Sequence, residues 1–138
     1  MTSSILAGVD EVGRGCLAGP VISASVILSD TADLSLLCDS KELTQLRRVK
    51  IANHIIHNST AIGIGLCTNI EIDQINIHEA TLLSMSRSLT SLSITPDKAI
   101  IDGLFVPDHS INCESVIKAD KSIPVVSAAS ILAKVVRD

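Results

Sequence analysis

Asp10 and Glu11 stand side by side at the end of an apolar run, Ile5-Leu6-Ala7-Gly8-Val9, that reads as a buried strand. Burying one unpaired carboxylate is costly, and two adjacent ones repel each other. A cation is needed to hold them, and a divalent metal is the obvious candidate. The following Gly13-Arg14-Gly15 reads as a turn that exposes backbone N–H groups and adds one guanidinium, both suited to an anion. An acid pair followed by an anion-binding turn is the layout of a metal-dependent site acting on phosphate. Two acids at a strand end also occur as an ordinary solvated terminus, so the assignment depends on what else the chain brings there.

A nucleotide-binding loop is the competing reading of the glycines. Gly13-x-Gly15-x-x-x-Gly19 approaches the dinucleotide fingerprint, but the third glycine comes one residue late. Pro20 and the β-type stretch Val21-Ile22-Ser23-Ala24-Ser25-Val26-Ile27-Leu28 follow it, whereas the fingerprint must open a helix. The glycines instead serve a tight turn between two strands whose backbone lies close to a ligand.

The elements that must position these residues are legible from periodicity. Strands are expected over 5–10 and 21–28, then a loop over 29–41. A helix is expected over 44–57, capped by Thr44, with Leu46, Val49, Ala52 or Asn53, and Ile56 on its buried face. Residues 61–67 form a third strand thinned by glycines. A helical stretch runs from 69 to about 92, broken near Asn76 and ended by Pro96. Ala99-Ile100-Ile101-Asp102 is a short apolar strand of the central parallel kind, 115–118 is a fifth strand, and a last helix opens at Pro124. Two hairpin-linked strands followed by alternating helices and strands make a mixed α/β sheet.

The fourth strand repeats the pattern of the first: apolar residues, then Asp102-Gly103 at its end. If the two strands are parallel neighbours, Asp10 and Asp102 share one edge of the sheet, where open α/β folds place their sites. Asp120 lies between Lys118 and Lys121 just before the last helix. Each acid alone has an ordinary explanation as a turn or loop residue. Together they occupy element ends that one topology converges.

Composition bounds the remainder. The chain has 138 residues, enough for one domain, and 46% apolar content is ample for a core. Phe105 is the only aromatic, so the core is aliphatic and aromatic base stacking has little to rest on. Cys16, Cys38, Cys67 and Cys113 are widely spaced without a Cys-x-x-Cys, which fits reduced thiols. His54 and His57 share a helix face but match no metal-ligand spacing, and neither do His78 and His109. With no apolar run of membrane-spanning length and no basic leader, a soluble cytoplasmic protein is expected; it is separately expected to be a monomer. The net charge of −4 argues against nucleic acid, but bound divalent cations would offset it. Residues 115–138 also carry Lys118, Lys121, Lys134 and Arg137 against two aspartates, and local field decides such matters.

Asp10-Glu11-Val12-Gly13-Arg14-Gly15 with Leu17-Ala18-Gly19-Pro20-Val21 resembles the N-terminal signature of type-2 ribonuclease H (ribonuclease HII). Asp39-Ser40-Lys41-Glu42-Leu43 is similar to the family's Asp-Ser-Lys-x-Leu motif, and Ile101-Asp102-Gly103 to its central-strand aspartate. Lys118-Ala119-Asp120 with the stretch from Ser127 to Asp138 resembles its long C-terminal motif. The departures are mild: Cys16 stands where proline is frequent and Ala119 where glycine is. The resemblance spans essentially all 138 residues.

That resemblance implies a ribonuclease H-like domain over 1–138, a mixed five-stranded sheet flanked by helices. It implies that the last helix is cut short and the family's C-terminal part is missing, as in a fragment or a shortened product. The implied activity is endonucleolytic cleavage of the RNA strand of RNA–DNA hybrids, and at single ribonucleotides embedded in duplex DNA. The implied products have 5′-phosphate ends, and the implied cofactor is manganese or magnesium. Asp10, Glu11, Asp102 and Asp120 would be catalytic and hold the metal, since two hard cations require oxygen ligands. Adjacent side chains on a strand point to opposite faces, so Glu11 joins Asp10 only if the strand breaks there. Gly13, Arg14 and Gly15 would read the ribose 2′-hydroxyl, with Arg14 alternatively a phosphate clamp or an ion pair with Glu11. Ser40, Lys41, Ser127 and Ser130 would contact backbone phosphates, the last two alternatively capping the final helix. Arg137 and Asp138 form either part of the motif's function or a plain ion pair. Another ribonuclease H-fold nuclease, and a weakly active or non-catalytic hybrid-binding remnant, are the alternatives.

Overall fold

The computed structural model describes residues 4–13, 19–37 and 44–138. The segments holding Arg14, Gly15 and Cys16, and Cys38, Ser40 and Lys41, lie outside the described residues. Two strands open the chain, β1 (Leu6–Val12) and β2 (Val21–Leu28), followed by helix α1 (Gln45–His57) and strand β3 (Ser59–Cys67). Helices α2 (Asn69–Ile75) and α3 (Ile77–Thr90) lead to β4 (Lys98–Asp102) and β5 (Cys113–Val116). A single helical turn, α4 (Ala119–Ser122), and the long α5 (Pro124–Arg137) complete it. The sheet order is β3-β2-β1-β4-β5. Antiparallel pairing joins the first three strands, and β1, β4 and β5 run parallel.

Each face of the sheet carries its own apolar layer, as the two-residue strand period requires. Val12, Ile22, Ala24, Val26 and Ile100 pack with α1 and α5, while Ala7, Val9, Ile27, Ala99 and Ile101 pack with α3. Small residues allow both helices close approach. A Cβ on Gly8 of β1 would lie 2.4 Å from the Val125 backbone of α5, and one on Gly65 of β3 would lie 2.2 Å from the Ser84 carbonyl of α3. Where β2 meets α3 the layer is polar: Ser23 pairs with Ser84 and Ser25 with Ser88, all four buried. Each hydroxyl satisfies another, so the burial is not left uncompensated. No helix among the described residues is long and apolar enough to cross a membrane.

Several sequence expectations are met and some are shifted. Thr44 caps α1, its hydroxyl oxygen accepting from the Arg47 N–H at 3.1 Å. The helical stretch after residue 69 does break at Asn76, whose φ of 74° stops α2 while its side chain caps α3 through the Glu79 N–H. The buried face of α1 is Ile51, Ala52 and Ile55, and Leu46, Val49 and Ile56 are exposed. That face is turned from the expected one by about one residue's step, roughly 100°. Both stripes have helical spacing, so periodicity alone could not choose between them. The fifth strand begins two residues earlier than expected, and α4 occupies what reads in the sequence as a loop around Asp120.

Candidate active site

Parallel pairing of β1 with β4 puts Val9 opposite Ile101, so the strands carry Asp10 and Asp102 out at the same edge. Both are even-numbered positions on the face covered by α5, shared with Gly8 and Ile100. Asp120 reaches them from α4, the turn that connects β5 to α5. Lys118 in left-handed conformation (φ 56°) starts that turn and directs the Ala119 N–H onto Asp102 Oδ1 at 2.8 Å. Oxygens of Asp10, Asp102 and Asp120 all lie within 4.8 Å of one another.

The electrostatics of this cluster are unfavourable without a cation. Asp10 is 4% exposed, and its carboxylate accepts from the Glu11 N–H at 2.8 Å to Oδ1. Burial first, then the charges of Glu11 and Asp102, push its proton affinity well above that of an ordinary aspartate. Burial and the Asp120 charge raise that of Asp102 as well, against the lowering effect of the Ala119 N–H. Among the described residues, none of the three acids forms an ion pair with a lysine, arginine or histidine. Three convergent hard oxygen donors, two of them strained toward protonation, fit a magnesium- or manganese-class ion.

Glu11 is placed differently. The strand does not break after Asp10 but continues to Val12, with Glu11 opposite Ser23. Pleating therefore turns the Glu11 side chain to the α3 face, where it lines a small cavity with Asp102, His78, Thr81 and Phe105. It is outside the cluster of three, although its charge acts on Asp10. Gly13 is buried with φ 110°, and a Cβ there would lie 2.6 Å from the Pro20 carbonyl, so the turn toward β2 has room for glycine alone. Ser127 and Ser130 are buried on α5, and the Ser127 hydroxyl donates to the Leu37 carbonyl. Neither caps α5, whose N-terminus at Ile123 has no side-chain cap. Asp138 forms ion pairs with both Arg137 and Arg48, at 3.6 and 3.9 Å, at the end of α5. His78 and Phe105, which no motif assigns to the site, meet edge to face with ring centroids 4.7 Å apart and line the cavity beside Asp102. In the sequence Phe105 stands out only as the single aromatic, which by itself does not place it near the acids.

A mixed sheet of this order, with acids at the carboxyl ends of its central parallel strands, defines a ribonuclease H-like protein. The fold is that of ribonuclease H2 from Pyrococcus horikoshii OT3, with a TM-score of 0.84 at 31% identity over 96% of this chain and 72% of that one. Bst-RNase HIII in complex with Mn2+ shares the fold, with a TM-score of 0.81 at 22% identity, over 98% of this chain and 52% of that one. The ribonuclease HII family profile matches residues 7–138. Ribonuclease HII of Coxiella burnetii (strain RSA 493 / Nine Mile phase I) is 48% identical over 134 residues, which is 97% of this chain and 66% of that protein. The chain belongs to the ribonuclease HII family. It spans 66% of the length of the Coxiella relatives it matches.

Proposed function

We propose that this chain hydrolyses phosphodiester bonds in the RNA strand of RNA–DNA hybrids, and at single ribonucleotides embedded in duplex DNA, leaving 5′-phosphate ends. The observation that carries the reading is the convergence of Asp10, Asp102 and Asp120 at one sheet edge in a chain of the ribonuclease HII family. Manganese or magnesium ions held by these carboxylates would supply the charge that polarises the scissile phosphate and lowers the pKa of an attacking water.

The protein's own part is to hold the acids ready. Asp10 is fixed by burial and by the Glu11 N–H, and Asp102 by the Ala119 N–H. The cost of their mutual repulsion is set by folding, so a cation entering the site meets donors already in place. Glu11 adds negative charge from the opposite face of β1 and completes the acidic quartet from there. Gly13, whose missing side chain leaves room for the Pro20 carbonyl, lets the chain turn sharply out of β1. With Arg14 and Gly15 it would read the 2′-hydroxyl, the group that separates RNA from DNA. Ser40 and Lys41 would position the duplex through phosphates, without reading bases. Ser127 and Ser130 would support that surface from beneath.

The test is a panel of end-labelled duplexes offered with manganese or magnesium: an RNA–DNA hybrid, a DNA duplex with one ribonucleotide, and an all-DNA duplex. Cleavage of the first two at ribonucleotides, none of the third, and dependence on the metal are expected. Equal cutting of all-DNA duplex would overturn the reading in favour of a general nuclease of the same fold.

A further inference from the structure

The chain holds a single aromatic residue, and it is not in the core. Phe105 is 58% exposed, between the exposed Leu104 and Val106, on the loop that leaves β4. An aliphatic interior built from Ile, Leu, Val and Ala has no use for the ring. Exposing three consecutive apolar side chains costs free energy unless something covers them. Three features fix where that cover lies. Gly103, with φ 135°, turns the chain immediately after Asp102, so Phe105 stands only three residues from a cluster acid. The edge-to-face contact with His78 of α3 holds the ring at a set angle. Phe105, His78, Glu11 and Asp102 line the same small cavity, so the apolar loop is continuous with the acidic site.

Building on the proposed function, we propose that Phe105, braced by His78, is a substrate-binding residue that packs against the minor groove of the bound duplex beside the scissile phosphate. A hybrid's minor groove is wide and shallow and presents ribose faces and base edges, apolar surface that a ring tip can cover. The same contact would remove Phe105 and its neighbours from water, which explains an exposed aromatic in a chain that has no other. Acids alone cannot attract a polyanion, and an uncharged contact of this kind adds affinity without adding to the repulsion between Glu11, Asp102 and phosphate.

The chain lacks tryptophan and tyrosine, so Phe105→Trp makes position 105 its own reporter. The variant is made on an Asp10→Asn background in manganese, so that a labelled RNA–DNA hybrid is bound but not cut. Tryptophan emission and the anisotropy of the labelled duplex are followed in one titration. The expected result is an emission shift to shorter wavelength that saturates together with the anisotropy. Phe105→Ala on the same background should weaken binding about tenfold, the order of one lost aromatic contact. Duplex binding with unchanged emission, or undiminished binding by Phe105→Ala, would overturn this inference and leave the proposed function standing. Absence of binding by every variant, and by the Asp10→Asn chain itself, would overturn both.

Discussion

Asp10 holds the site's most informative property, a proton affinity raised by burial and by three carboxylate neighbours, Glu11, Asp102 and Asp120. Because its folded-state pKa lies above the ordinary value of 3.8, the folded chain binds more protons than the unfolded chain between the two. The stability this proton contributes is fully present below the ordinary value and is lost as pH rises through the raised one. Metal-free protein should therefore melt at progressively lower temperature as pH rises above about 4. Asp10→Asn, which cannot ionise, should flatten that slope and raise Tm by a few degrees near neutrality in chelator. Thermal melts across pH in EDTA measure both. Manganese should raise the Tm of the native chain, since it binds the folded form alone, and raise that of Asp10→Asn much less. Asp120→Asn should act more weakly than Asp102→Asn in both cleavage and manganese-induced Tm, because Asp120 stands on a one-turn helix rather than a central strand. Asp10 and Asp102 were readable from sequence because each follows a run too apolar to end in a carboxylate without cause, whereas Asp120, between two lysines, was found only beside its motif. The position of Glu11 was not, since only backbone geometry decides whether a strand breaks.

Element boundaries followed from local signals wherever one residue type dominates the physics. Thr44 capped its helix, and Pro124 opened the last one. Asn76 carries two such roles, a left-handed φ and the cap of α3, so Asn76→Ala should cost about 2–3 kcal/mol in urea unfolding. Asn76→Gly, which keeps the conformation and loses only the side-chain cap, should cost less. The close seat of α5 on β1 gives a second check. Gly8→Ala places a methyl against the Val125 backbone and should cost at least about 1–3 kcal/mol, the ordinary range for overpacking. Wild-type stability in Gly8→Ala would mean that α5 sits further from the sheet than described. What the sequence concealed at this level depends on tertiary choice. Two apolar stripes compete for the buried face of α1, and Ile51, Ala52 and Ile55 are buried because α5 meets them. Helix α4 had no readable signal, because it depends on a lysine in left-handed conformation and on a side-chain bond to Asp102.

For the molecule as a whole, the sheet order reconciles a net charge of −4 with the nucleic-acid substrate proposed above. Antiparallel β2 and β3 extend one side of β1, and parallel β4 and β5 the other. That places the acids at the centre of the sheet's edge, with Lys118 and Lys121 exposed on either side of Asp120. Cations bound at the acids would turn a locally repulsive surface into an attractive one, so duplex affinity should rise with manganese. It should fall log-linearly with sodium chloride as phosphate contacts are screened. Anisotropy titrations at several salt concentrations measure both trends. The mixed sheet was legible, because hairpin-linked strands followed by alternating helices leave few ways to build one, but its full strand order was set by tertiary pairing. The most direct test is the cleavage rate of a duplex bearing one ribonucleotide, at saturating manganese, for the native chain and for Asp102→Asn with its fold verified by circular dichroism. The account predicts cutting at the ribonucleotide with a 5′-phosphate product, and a loss of about a thousandfold or more in the variant, roughly 4 kcal/mol of barrier. Equal turnover by the two proteins would contradict it.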